Sequence, residues 1–432
     1  MQIRSDRHNI TAFILTLIFP FGGLIYSLNH WREHWAKNTF WLACIYLGAV
    51  FIYWPEGTVL GEGSDGGRYV LELMKMYESN LSIKVLIGQY LIDQNTMDLY
   101  QPLVTYIISR FTDNGHVLFA IYALVFGFFY SRNTWYILNK LPYKKLGGLF
   151  ILVTLYFLIC PITQINGVRM WTALHVFVYG MMPYLLERDK SKLWWVLLTP
   201  LFHFSYLYVA IFALAFILIP YRFKTNGGLL LYLALAVFIF SLLVNSLNLD
   251  AVGSVLEEYS PESYENRIEG YVNQDVLERN ALLSAMNNWY VVGSDTIKLW
   301  VYNLLLIAMF PCMKRSFKQD AGLMLLLVFS LLLGAFANIT ALIPSGGRFQ
   351  ILSQMFKVPL ILLVVMNIPH NELFRKFVNF ALVLLIIPFV FDIRKLLDFF
   401  SITALLGNFI TVFFWENNTP LIVFIKRLVV MQ

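Results

Sequence analysis

Residues 161–205 read PITQINGVRMWTALHVFVYGMMPYLLERDKSKLWWVLLTPLFHFS. An apolar run, Val168 to Leu186, carries an arginine, Arg169, in its first turn. A charged cluster, Glu187 to Lys192, interrupts it, and a second apolar run, Leu193 to His203, ends on a histidine. If both runs are membrane helices joined by a short loop, Arg169 and His203 return to the same face of the bilayer. Ionisable residues held at membrane depth are costly and mark functional sites by default.

The composition around this stretch sets the class. Of 432 residues, 59% are hydrophobic and 13% charged, with a mean hydropathy of +0.65, against about 25% charged residues in soluble domains. Apolar runs long enough to cross a bilayer recur along the chain, each crossing needing roughly 20 residues. The expected fold is an all-α polytopic membrane protein, a single integral domain over 1–432 with a bundle of about 10–13 transmembrane helices. The aromatic share of 17% is high, and many Trp and Tyr fall at segment ends, as interfacial anchors do.

Cys44, Cys160 and Cys312 lie far apart in or beside apolar runs, without metal spacing or a disulfide framework. The seven histidines form no paired-ligand pattern, so neither a metal nor a cofactor is expected. The net charge of +6 sits in short inter-helix loops, where the positive-inside rule accounts for it without nucleic acid. No small-residue cleavage site follows the first apolar run, so no cleavable signal peptide is expected.

In chain order, Thr11 to Leu28 and Phe40 to Trp54 are the first apolar segments. Residues 55–115 are more polar and read as an external loop with short amphipathic or re-entrant helices, in which Arg68, Tyr69, Glu72 and Met76 can share one helical face. Basic residues Arg132, Lys140, Lys144 and Lys145 place the end of the next span in the cytoplasm. Further spans follow at Leu146–Cys160, Val168–Leu186, Leu193–His203, Phe204–Ile219 and Gly227–Asn245. Residues 248–295 are acidic and read as an external loop. Ile297–Phe310, Ala321–Ala337, Ile351–Ile368, Phe377–Phe391 and Ile402–Trp415 complete the bundle. On this topology Asp65, Arg68, Arg169, His203, Tyr264, Arg267 and Arg348 fall on or near one external face, although they come from separate segments. Parity then puts the N-terminus outside despite Arg4 and Arg7, unless PFGG breaks the first segment into a re-entrant hairpin; both readings stand.

TQINGVRMWTALHVFVYGMMPYLLE followed by LFHFS resembles the core of EpsG-like, Wzy-type bacterial polysaccharide polymerases. GSDGGRY resembles that family's early loop, DLYQPLVTYIISRF and GHVLFAIYALVFG its next segments, and IPSGGRF a late external loop. Together they cover most of residues 60–350. The resemblance implies a multi-pass bacterial inner-membrane glycosyltransferase with its site facing the periplasm. Such an enzyme transfers a growing glycan from undecaprenyl diphosphate to the sugar of an incoming lipid-linked repeat unit, in O-antigen, capsule or exopolysaccharide synthesis. The implied partners are lipid-linked oligosaccharide donor and acceptor, membrane lipids and a chain-length regulator, without nucleic acid.

That chemistry makes two demands. The diphosphate leaving group gains charge as the anomeric bond breaks, and arginine, always charged and able to bind phosphate through a planar fork, suits it. Arg169 and Arg348 are the first candidates for diphosphate binding, with Arg68 third. The attacking hydroxyl must lose a proton, and His203 is the candidate base, with Asp65 the alternative. Tyr69, Tyr264 and Arg267 are candidate substrate contacts, and Trp171 and Tyr206 could stack on sugar rings. With no DxD-like motif, transfer is expected to be metal-independent. Each residue has a plainer reading. An arginine at a helix end can snorkel to headgroups, Arg68 can simply pair with Asp65 and Glu72, and His203 can be a packing residue.

Three other functions share these features. A ligase would make one transfer to a different acceptor and leave no ladder. A glycosyltransferase using a lipid monophosphate donor is the other enzymatic alternative. A flippase would be expected to show internal repeats and broken helices near the midplane, whereas no repeat is found here and the charges gather at one face.

Overall fold

The computed structural model describes residues 2–54, 60, 64–79, 82–92, 98–142, 149–221, 228–247, 278, 282, 288–316, 320–367, 372–415 and 418–430. Tyr264 and Arg267 lie outside the described residues, as does most of the acidic segment 248–295. Among the described residues there is no β-strand, only one isolated bridge between Phe51 and Phe400.

The chain opens with a helical hairpin. Helix α1 (Gln2–Ile18) stops at Phe19, and α2 (Pro20–Asn29) begins on the proline. The two fold back on each other, with His8 Nδ1 2.9 Å from the Tyr26 hydroxyl. The break falls at the start of PFGG; a proline suits a first turn because it has no N–H to leave unpaired. Helix α3 (Ala36–Ala49) follows. The polar region 55–115 then contains three helices, α4 (Asp65–Glu78), α5 (Ile83–Ile92) and α6 (Tyr100–Ser109).

The bundle continues through α7 (Gly115–Leu138), α8 (Phe150–Leu158), a 3-10 turn over Ile162–Gly167, α9 (Val168–Glu187), α10 (Trp194–Phe202), α11 (Tyr206–Leu218) and α12 (Gly228–Leu243). After the acidic segment come α13 (Trp289–Ser316), α14 (Ala321–Thr340), α15 (Arg348–Asn367), α16 (Glu372–Leu384) and α17 (Ile386–Leu396), then the single turn α18 (Thr403–Leu406) and α19 (Leu421–Val430).

Among the described residues, six stretches are long and apolar enough to cross a membrane, and shorter apolar helices accompany them, among them Tyr206–Leu218 and Leu229–Leu243. Two of the six, Phe150–Glu187 and Glu372–Leu396, are helices in tandem. The first breaks at Pro161 and the second at Leu385. One expected span is absent as a helix: Ile402–Trp415 forms only α18 and a 3-10 turn over Thr411–Phe413. Its sequence explains this, because the Asn408 side chain accepts from the backbone N–H groups of Ile410 and Thr411, closing a local turn that competes with helix.

The lipid-facing and core-facing helices differ as the bilayer requires. On α10 and α11, Trp194, Leu197 and Leu201, then Leu207, Ile211, Leu214 and Leu218, are exposed at three- and four-residue spacing. Such stripes on a soluble surface would be a liability, but they suit contact with hydrocarbon. Helix α14, by contrast, is buried on every side through Leu325, Leu326, Leu327, Val328 and Phe329, as expected of a helix that is apolar all round. Helices α3 and α7 pack closely through a glycine: a Cβ on Gly48 would lie 2.5 Å from the Phe119 carbonyl oxygen.

Candidate functional site

Helices α9 and α10 position Arg169 and His203. Helix α9 has 20 residues and α10 only nine, yet both reach one end of the bundle. Close packing at Gly180 explains this. A Cβ there would lie 3.0 Å from the Lys192 carbonyl oxygen, so α10 starts beside the middle of α9 and runs back along its first half. At a rise of about 1.5 Å per residue, the short helix needs only that half-length to bring His203 level with Arg169. Ser205 Oγ sits 3.8 Å from Met170 Sδ, which fixes the two ends side by side.

The 3-10 turn before α9 ties in the start of α4. Ser64 caps α4 by accepting from the Gly67 N–H, and the Gly66 N–H donates to Asn166 Oδ1 at 3.0 Å. Gly66 is required by this approach, since a Cβ would lie 2.7 Å from that amide oxygen. Asp65 therefore stands in the first turn of α4, where the helix N-terminus favours negative charge, beside the turn that leads into Arg169.

One cavity of about 210 Å³ is the result, and Asp65, Tyr69, Arg169, His203 and Arg348 line it together with Asn166, Trp171 and Phe399. Five of the eight sequence-derived site residues thus share a wall, drawn from α4, α9, the end of α10 and the start of α15. Arg348 is exposed and makes no ion pair among the described residues. It follows a turn in which Ser345 adopts a left-handed φ of 62°.

Arg68 does not join this wall. Its side chain is 63% exposed and pairs with Asp65 one turn earlier, while Tyr69 and Met76 turn inward and Glu72 is partly buried. The face expected to hold all four therefore holds the last three. Tyr206 is likewise set apart, being fully buried among Phe177 and Phe349, so it cannot stack on a sugar. Trp171 remains on the cavity wall.

An acidic residue that sequence reasoning passed over holds the site together. Asp98 is only 2% exposed and accepts from Arg169 Nη1 at 3.0 Å through Oδ2. Its Oδ1 accepts from the Phe204 N–H at 2.8 Å. The neighbouring Leu99 N–H donates to the Leu201 carbonyl oxygen. One carboxylate thereby fixes both the arginine and the turn that carries His203. Arg169 Nε also donates to the Tyr69 hydroxyl at 3.3 Å. Burial raises the Tyr69 pKa, against the opposing charge of Arg169, so the phenol keeps its proton. Behind it, Gln101 donates to Glu72 at 2.8 Å and Arg110 to the Met76 carbonyl oxygen, pinning α4 to α6.

The hydrogen bonds of His203 fix its tautomer. Nδ1 accepts from the Ser205 backbone N–H at 3.3 Å and lies 2.8 Å from Ser205 Oγ. A backbone N–H can only donate, so the proton of the neutral ring resides on Nε2. Neutral His203 is then a donor at Nε2, not an acceptor.

The sequence model of the EpsG family matches residues 56–400, which includes every element lining this cavity. No curated protein and no solved structure shows a significant match to the chain.

Proposed function

The chain belongs to the EpsG family, a polysaccharide-polymerase family of multi-pass membrane proteins, and on that premise we propose that it is a repeat-unit polymerase. It would transfer a growing glycan from undecaprenyl diphosphate to the sugar of an incoming lipid-linked unit, at the external face of a bacterial inner membrane. The observation that carries this reading is the convergence of Asp65, Arg169, His203 and Arg348, from four separate segments, on one cavity.

In this reading the acceptor hydroxyl oxygen attacks the anomeric carbon of the donor. A glycosidic C–O bond forms, the bond from that carbon to the diphosphate oxygen breaks, and its electron pair leaves with the lipid diphosphate. Arg348, without an ion pair among the described residues, and Arg169, anchored by Asp98, supply fixed positive charge where the leaving group gains negative charge. His203 contributes an Nε2–H to the departing or phosphate oxygen. Asp65 takes the hydroxyl proton, because the tautomer of His203 leaves that ring without a basic nitrogen on its Nε2 side. Arg68 holds Asp65 in place and lends further positive charge to the rim.

Deletion of the gene in its host, with surface and lipid-linked glycans resolved on gels, tests the reading. Collapse of the ladder to single repeat units, restored by the wild-type chain, is the expected result. Full-length glycan accumulating on its lipid would instead identify a ligase, and an unchanged pool of lipid-linked units confined to the inner leaflet a flippase.

A further inference from the structure

A second cavity, of about 460 Å³, shares a wall with the arginine cavity: Thr163, Gln164 and Phe399 line both. The 3-10 turn before α9 presents Asn166 to the first cavity, and the preceding Pro161 lines the second. At the start of α15 the same division recurs, with Arg348 on the first cavity and Gln350 on the second. Residues of α13 and α17 complete the second wall.

The charges of this second cavity cancel. Lys298 and Lys395 each contact both Asp295 and Asp392 at 2.8–3.6 Å. Asp398, the third carboxylate on the wall, pairs with Arg394 at 3.6 Å. No cation on this wall is left over for a phosphate, and any added anion would meet three carboxylates.

What the cavity does offer is amide groups. Gln164, Gln350 and Gln354 line it, and none of them makes a side-chain hydrogen bond among the described residues. Gln354 is only 7% exposed, and an amide withdrawn from water without partners is costly. Gln350 and Gln354 are one turn apart on α15 and so share a face. Each amide carries N–H donors beside a carbonyl acceptor. Two neighbouring ring hydroxyls, or a hydroxyl and an acetamido group, return that pairing, whereas a hydrocarbon chain would leave it unmet. The volume falls within the roughly 300–1,000 Å³ of small-ligand sites.

We propose that the second cavity is a glycan subsite that takes an uncharged sugar, a hexose or N-acetylhexosamine, and refuses acidic ones. The inference rests on the polymerase reading for that sugar's being part of a repeat unit, and on the shared wall for its place. One sugar reacts in the arginine cavity while its neighbour in the same glycan sits in the second. The crossed ion pairs hold α13 against α17 before the sugar arrives, so little ordering is left to be done on binding. Selection among repeat units is thereby separated from the arginines, which read only the diphosphate.

The test uses the full chain in nanodiscs and lipid-free oligosaccharides from partial hydrolysis of the host's surface polysaccharide. The matched acidic probe is the same neutral fragments with their primary alcohols oxidised to carboxylates. Saturation-transfer NMR should show wild-type chain binding the neutral fragments about tenfold or more tightly than the oxidised ones. Gln354→Leu and Gln350→Leu keep the side-chain bulk and remove the amide, and each should weaken neutral-fragment binding about three- to tenfold. Arg169→Ala should leave it unchanged, since these fragments carry no diphosphate. Absence of binding to wild-type chain, equal binding of the two probes, or a host glycan with no uncharged sugar would each overturn the subsite without reliance on any variant. A loss in Arg169→Ala as large as in Gln354→Leu would overturn it too, by placing the glycan in the arginine cavity. Selective, glutamine-dependent binding by a chain that makes no polymer would leave the subsite standing and remove the polymerase reading.

Discussion

Asp98 and Arg169, 71 residues apart in sequence, meet in an ion pair of 3.0 Å, with Asp98 almost wholly buried and the arginine side chain 32% exposed. Because Asp98 also accepts from the Phe204 N–H, the pair sets the distance between the arginine and the histidine turn. Asp98→Asn keeps the shape and removes the charge. Breaking a fully buried pair costs 3–5 kcal/mol, and the partial exposure of Arg169 reduces that to about 1–3 kcal/mol. Thermal melting in detergent should show this loss, along with reduced polymer. Adding Arg169→Gln should recover much of the stability and none of the activity, a coupling that a double-mutant cycle reads directly.

His203 distinguishes a donor from a base. Glutamine carries an N–H at similar reach and cannot serve as a base, so His203→Gln should keep a measurable part of the polymerisation rate that His203→Ala loses. Equal loss in the two variants, each present in the membrane at wild-type level, would return the base role to the imidazole.

Arg348 is exposed at the start of α15, so its replacement should leave folding nearly unchanged. Arg348→Ala should lower the polymerisation rate on the order of 10²-fold, the scale of removing one preorganised donor from a developing anion. Arg348→Lys should recover only part of it, since an ammonium cannot grip two phosphate oxygens in the arginine geometry. Rates with isolated lipid-linked units and melting temperatures of both variants check the two halves of this statement.

Glu72 should give the protein a pH-dependent stability. Burial raises its pKa above the ordinary 4.5, with the Gln101 hydrogen bond and the charge of Arg169 opposing. Between the ordinary and the raised value, the folded chain holds a proton that the unfolded chain has lost. The contribution is therefore complete below about pH 4.5 and is lost as pH rises through the folded value. Glu72→Gln should remove that decline. Its melting temperature relative to wild type should rise with pH across the carboxylate range, and a difference independent of pH would contradict the assignment.

Much of this site was legible because helix length and loop charge carry it. The runs on either side of Glu187–Lys192 place Arg169 and His203 at one end, and the structure adds how a nine-residue helix manages it, through close packing at Gly180. Asp98 escaped notice although it heads one of the segments that carry the family resemblance. Its only signal was an acidic residue at the head of an otherwise apolar run, DLYQPLVTYIIS, and its partners are a distant guanidinium and a backbone N–H that local sequence does not reveal. Residue type and position at the helix end suggest His203 as the base, and sequence does not reveal its tautomer, which depends on Ser205, two residues on. Apolar content also misled at Ile402–Trp415, where the side-chain hydrogen bonds of Asn408 outweigh hydropathy.

The central claim is that this cavity joins lipid-linked repeat units, and the most direct measurement is made on the purified chain. Lipid-linked repeat units extracted from the deletion host are incubated with wild-type protein and with Arg169→Ala, and both the glycan ladder and the released undecaprenyl diphosphate are followed. The account predicts a ladder with one lipid diphosphate released per unit added, and neither product from the variant. Release without a ladder, or a ladder made equally well by Arg169→Ala, would contradict it.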